Sequence, residues 1–172
     1  MSAVSDELHD AAIAVLEACR ARGLKIATAE SCTGGLVAGA LTDIAGSSDV
    51  VDRGFVTYSN EAKQQMLGVA ADTLRRYGAV SRETAEAMAN GAIAQSNANL
   101  VVAITGIAGP GGGSADKPVG LVHFAAASRS GTLAHVEMRY GDIGRAEVRR
   151  QSVLRALVML REMAEQHGIA AR

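Results

Sequence analysis

Asn99-Leu100-Val101-Val102-Ala103-Ile104-Thr105 runs directly into Gly106-Ile107-Ala108-Gly109-Pro110-Gly111-Gly112-Gly113-Ser114. The first stretch is a continuous apolar run, the mark of a strand buried on both faces of a sheet, and such sheets are covered by helices on both sides. The second is a glycine-rich loop at the C-terminal end of that strand. Upstream, Ser81-Arg82-Glu83-Thr84 predicts a helix capped by Ser81 and extending through Met88 and Ile93 to about Gln95. Downstream, Val119–Ala127 and Thr132–Tyr140 flank Ser128-Arg129-Ser130-Gly131 and predict an antiparallel hairpin.

The rest of the chain continues the alternation. Ser5 to Arg22 places Leu8, Ala12, Val15, Leu16 and Cys19 at helical spacing, with Gly23 as a stop. Lys25–Ala29 reads as a strand, Glu30–Gly35 as a tight turn and Leu36–Leu41 as a helix. Val50–Tyr58 reads as a second strand, after which Asn60 caps a helix through Lys63, Met66 and Leu67. The last helix runs from about Gly144 to Gln166, with Val148, Val153, Leu154, Leu157, Val158 and Leu160 as its apolar set. Alternating helices and strands plus a hairpin predict a three-layer α/β/α sandwich around a mixed sheet, in one domain over residues 1–172.

Composition narrows the function. The chain is 48% apolar, 20% charged and 3% aromatic, with 33 alanines, so its core is built of small side chains that let helices approach the sheet closely. So few rings argue against stacking on single-stranded nucleic acid. Seventeen Lys and Arg against 18 Asp and Glu remove the footprint of a nonspecific duplex binder. A small-molecule partner is expected. Cys19 and Cys32 are too few for a disulfide framework, and no Cys/His cluster has zinc-ligand spacing, which fits a reducing compartment. No leader-like segment opens the chain, and no apolar run reaches the roughly 18 residues of a membrane span. The expected location is the cytoplasm.

Three segments carry residue types that folding alone does not require. Thr28-Ala29-Glu30-Ser31-Cys32-Thr33-Gly34-Gly35 presents two hydroxyls and a thiol at a strand-to-helix turn, where unpaired N–H groups favour both nucleophiles and anions. The alternative is that Ser31 or Thr33 simply caps the helix. Cys32 rivals Ser31 as nucleophile, because a helix N-terminus lowers a thiol's pKa. Neighbours at a strand end point in opposite directions, so the two do not face the same way.

Tyr58-Ser59-Asn60-Glu61-Ala62-Lys63 follows a strand, and Lys63 can serve as a base if desolvation lowers its pKa; the alternative is a solvated helix lysine. None of the four histidines adjoins a turn of this kind. The glycine-rich loop from Gly106 lies where open α/β sheets collect ligands, and its backbone can approach a phosphate or an oxyanion. It matches neither a Walker loop nor Gly-x-Gly-x-x-Gly, and a plain flexible loop is the competing view. Arg145 falls in the first turn of the last helix, where the dipole disfavours a cation by roughly 0.3–1 kcal/mol unless an anion binds. Arg149 lies one turn on, on the same face; two exposed arginines are the bland alternative.

Taken together, Thr28–Gly35, Tyr58–Lys63 and Thr105–Gly120 resemble the motifs of the CinA C-terminal family, and the likeness covers nearly the whole chain. Stand-alone members of that family are nicotinamide-nucleotide amidohydrolases. The resemblance implies hydrolysis of the carboxamide of nicotinamide mononucleotide to nicotinate mononucleotide and ammonia. It implies Ser31 as nucleophile, Lys63 as its base and Tyr58 as a supporting hydroxyl. Substrate would be held by Thr33, Gly34, Gly35, Asn60, Thr105, Gly106, Gly109 and Arg145, with no metal and no cofactor, in a homodimer. The second function this pattern allows is a noncatalytic nucleotide-binding or regulatory module, in which the loop and Arg145 take phosphate and Ser31 only caps.

Overall fold

The computed structural model describes residues 3–167. Its sheet has five strands: β1 (Ile26–Glu30), β2 (Val51–Val56), β3 (Leu100–Gly106), β4 (Leu121–Ser128) and β5 (Leu133–Arg139), ordered β2-β1-β3-β4-β5. β3 is central and buried from Leu100 to Thr105, as its apolar run predicts. β1 pairs in parallel with β2 and with β3, while β4 pairs antiparallel with both β3 and β5, so the sheet is mixed. Strand alternation then sorts side chains to two cores. Leu100, Val102 and Ile104 join the core under α1 (Ala3–Arg20), α2 (Leu36–Thr42) and α6 (Arg145–His167). Val101 and Ala103 join the core on the opposite face, under α3 (Asn60–Leu67), α4 (Ala71–Tyr77) and α5 (Arg82–Ala94). The three-layer α/β/α sandwich is therefore the observed architecture.

The second core shows what the alanines do. Ala27, Ala29, Ala103, Ala125 and Ala127 of the sheet meet Ala85, Met88, Ala89 and Ala92 of α5. With so little side chain between them, α5 sits low on β1, β3 and β4 and also packs against α3. The α3–α5 approach is close enough that a Cβ on Gly91 would fall 1.9 Å from the Leu67 carbonyl oxygen.

Several local expectations need correction. The cap of α3 is Ser59, whose side chain accepts from the Ala62 N–H; Asn60 is instead the first helical residue. Ser59 has the extended backbone of a cap, and the chain turns helical one residue earlier than the Asn60 assignment requires. Helix α4 is additional. Leu74 is its only buried residue and Ala70 makes no side-chain cap bond, so neither periodicity nor a cap announces it. In α6, Leu154 and Val158 are only half-buried, while Ala156, Met159, Met163 and Ala164 are buried, because the packed stripe continues further along the helix. Of the predicted domain, residues 1–2 and 168–172 lie outside the described residues. No helix among the described residues is long and apolar enough to cross a membrane.

At the end of the sheet where β3 begins, Arg129 closes the structure. Its guanidinium donates to the carbonyls of Ile93, Ser96 and Ala98 around the C-terminus of α5. The Asn99 side chain accepts from the Lys25 N–H beside it. The chemistry-bearing turns all lie at the other end.

Candidate active site

β1 ends in Glu30, which is fully buried, a rare state for a carboxyl group unless it is thoroughly hydrogen-bonded. Its oxygens accept from Thr28 Oγ1 (3.2 Å), Thr33 Oγ1 (2.7 Å) and the N–H groups of Val37 (2.9 Å) and Ala38 (3.0 Å). Glu30 thus caps α2 from outside, supplying the acceptor that the N-cap Gly35 lacks. The capping role offered for Ser31 or Thr33 is filled by neither. Glu30 was missed from sequence; its only signal is an acidic residue between an apolar strand and a helix start.

Ser31 follows, anchored by its N–H to the Ile104 carbonyl at 2.9 Å. Its hydroxyl lies 2.9 Å from Nζ of Lys63, which reaches it from α3. Lys63 is only 2% exposed, and Nζ also donates to the Thr57 carbonyl at 2.9 Å. Both partners are uncharged oxygens. Burial therefore holds the amine below the usual lysine range, and outweighs the opposing influence of the neighbouring Cys32.

Cys32 points the other way. It belongs to the core under α1, α2 and α6, on the opposite face from α3, and burial pushes its thiol up to about 12. Such a thiol is protonated at neutral pH and is a poor nucleophile.

Two arginines of α6 complete the surroundings. Arg149 donates from Nε to the Cys32 carbonyl (3.1 Å) and from Nη2 to the Thr33 carbonyl (3.4 Å). Gly34 (φ +56°) allows this approach, since a Cβ there would stand 3.1 Å from Nη2 in a backbone conformation that other residues resist. Arg145 donates to the Gly109 carbonyl (2.8 Å) and to the Tyr58 hydroxyl (2.9 Å), linking the glycine-rich loop to the end of β2.

The structure therefore brings Ser31 and Lys63 into direct contact, and groups Tyr58, Gly109 and Arg145 separately. The Tyr58 hydroxyl meets Arg145, and the residue is 63% exposed. The hydroxyl of Thr33 is spent on Glu30, and that of Thr105 on the Ala79 carbonyl at 2.8 Å; both residues are buried. Asn60 is exposed on the first turn of α3. Gly106 closes β3 opposite Val122, and Gly35 is the N-cap of α2. The sequence placed Arg149 only as a neighbour of Arg145; its contact with the turn, 116 and 117 residues away, has no local signal. The paired histidines His123 and His135, 2.9 Å apart, lie on the hairpin, away from these groups. Among the described residues, no group of three or more His, Cys, Asp or Glu side chains could hold a metal ion.

A model of the CinA C-terminal domain matches residues 8–164, and the chain belongs to that family. The nicotinamide-nucleotide amidohydrolase PncC of Escherichia coli K12 is 52% identical over 155 residues, covering 90% of this chain and 93% of that protein. A CinA-like protein of Anaeromyxobacter dehalogenans is 51% identical over 91% of this chain, which spans 37% of that longer protein. Among solved structures, the competence/damage inducible protein CihA from Agrobacterium tumefaciens superposes with a TM-score of 0.88 at 61% identity, covering 90% of this chain and 93% of that one.

Proposed function

We propose that this chain is a nicotinamide-nucleotide amidohydrolase that converts nicotinamide mononucleotide to nicotinate mononucleotide and ammonia through a Ser31–Lys63 dyad. The observation that carries the mechanism is a buried lysine 2.9 Å from a serine hydroxyl, with no charged partner on its amine among the described residues. A neutral Nζ takes the Ser31 proton as Oγ attacks the carboxamide carbon, and the carbonyl oxygen becomes an oxyanion. Lys63 then returns the proton to the nitrogen as the C–N bond breaks and ammonia leaves. Water, deprotonated by the same amine, attacks the resulting ester, and Ser31 is regenerated with nicotinate mononucleotide as product. The cationic ring nitrogen of the substrate makes the carbonyl carbon electron-poor, which favours attack.

Oxyanion donors are at hand in the turn. The N–H of Ser31 is used by Ile104 and that of Gly34 by Ser31, but those of Cys32 and Thr33 donate to no other residue's carbonyl among the described residues. A single donor of this kind contributes about 2.7–4 kcal/mol to lowering the barrier. Arg145 uses one N–H from each terminal nitrogen internally, so further donors stay free for an anionic substrate group, with Tyr58 holding the guanidinium in place. Thr33, Gly34, Gly35, Asn60, Thr105, Gly106 and Gly109 shape the substrate side of the same site, the two threonines through backbone rather than hydroxyl.

The working unit is one domain over residues 1–172, a cytoplasmic homodimer that binds a small molecule and neither nucleic acid nor membrane. Leu36, Val56, Tyr58, Met66 and Ile143 are large apolar side chains left exposed on elements that flank the site, which supports a self-association surface there. The deciding experiment incubates the purified chain with nicotinamide mononucleotide and follows ammonia. Ser31→Ala is expected to abolish release, and unchanged turnover in that variant removes Ser31 as nucleophile.

A further inference from the structure

We infer that Arg149 is a positioning residue for the amide hydrolysis, one that aims the peptide N–H groups receiving the oxyanion; the inference rests on the Ser31 reading above. A trans peptide is planar, with its C=O and N–H pointing in opposite directions. Arg149 Nε holds the Cys32 carbonyl at 3.1 Å, so the N–H of Thr33, on the same peptide plane, is turned away from α6. Arg149 Nη2 holds the next carbonyl, that of Thr33, at 3.4 Å, and the matching Gly34 N–H turns back to the Ser31 carbonyl at 3.0 Å. That last bond leaves the Cys32 N–H directed out of the turn. Both orientations follow from one guanidinium.

The layers give the direction its meaning. Arg149 approaches from α6, and Lys63 approaches Ser31 from α3 on the opposite face of the sheet. An N–H turned away from α6 is turned toward the side where Ser31 and its base meet. The side chain is also fitted to the task, because two carbonyls on successive peptides require a rigid fork of donors, which guanidinium has and ammonium lacks. Gly34 lets the fork lie flush against the turn. Arg149 touches neither Ser31 Oγ nor Lys63 Nζ, so it acts through the backbone.

The test compares Arg149→Ala, Arg149→Lys and Ser31→Ala with the parent enzyme, using nicotinamide mononucleotide turnover read as ammonia. Misaimed donors lower kcat in R149A by about 100-fold while KM stays within about threefold. R149K falls between R149A and the parent. Added guanidinium, but not methylammonium, restores at least about tenfold of the R149A loss, because the fork re-enters the vacated space. An unchanged kcat in R149A, a loss carried by KM alone, or a loss that guanidinium does not relieve overturns the inference. If S31A is inactive while R149A keeps its kcat, only the positioning role falls. If S31A retains turnover, the dyad and this inference fall together.

Discussion

Lys63 Nζ stands 2.9 Å from Ser31 Oγ, and its other partner, the Thr57 carbonyl, lies at the same distance, so a buried amine faces two neutral oxygens. The desolvated ammonium is disfavoured and the pKa falls below the lysine norm. A base acts when unprotonated, so kcat/KM for nicotinamide mononucleotide rises with pH through a midpoint below about 10.5, the free lysine value. The same shift acts on stability. Between the folded and unfolded pKa values the unfolded chain binds more protons, so stability rises with pH across that window. Urea midpoints of the parent and Lys63→Met measured from about pH 7 to about pH 10 are expected to show the parent gaining on the variant as pH rises. Parallel midpoints would contradict the shift.

Cys32 adjoins the nucleophile but is expected to be chemically silent. Its thiol, pushed up to about 12 and packed in the core beneath α2, supplies almost no thiolate near neutral pH. Cys32→Ala should keep kcat within about threefold, since the donor it contributes is a backbone N–H that alanine retains. Iodoacetamide should leave the folded enzyme active at neutral pH. Rapid inactivation by that reagent would return Cys32 to the list of nucleophiles.

Glu30 carries more than its own side chain. With Gln at this position one acceptor oxygen becomes an NH₂ group that faces donors, disturbing bonds from Thr28, Thr33 and the first turn of α2. Glu30→Gln is expected to cost about 1–3 kcal/mol in urea unfolding. It should also lower kcat, because the turn it anchors holds Ser31. A variant with parent-like unfolding would show that α2 does not depend on this cap.

Gly91→Ala reverses a familiar rule. Alanine in a helix interior normally stabilises by roughly 0.5–1 kcal/mol relative to glycine. Here the new methyl would stand 1.9 Å from the Leu67 carbonyl oxygen, so α3 and α5 must separate. Overpacking of this sort costs about 1–3 kcal/mol. Because α3 also holds Lys63, kcat should fall together with the thermal midpoint. A stabilised, fully active Gly91→Ala would refute the close approach.

What could be read from the chain alone follows from which forces are local. The run Leu100–Thr105 announces a strand with both faces buried, and Ser81 announces a cap, because strand burial and capping are written in adjacent residues. Helix α4, with Leu74 as its one buried residue, carries no such pattern. In the site, Ser31 and Lys63 stand out by residue type after strands, but the hydroxyl directions of Thr33 and Thr105 do not. Those depend on Glu30 and on the Ala79 carbonyl, brought close only by the folded backbone. Ser59 and Asn60 are both good caps, and the choice between them rested on one residue of backbone geometry.

The Arg129 closure divides the molecule into two poles. β3 spans seven residues, so the hairpin turn at Ser130 stands roughly 20 Å from Ser31 at about 3.3 Å per residue. Ser130 and Gly131 are exposed, and none of the groups assigned to chemistry lies there. That pole is a natural handle. A fluorophore, an affinity peptide or a surface tether attached at Ser130 would leave the opposite mouth open to substrate, letting the immobilised enzyme be studied with its reacting end toward solution.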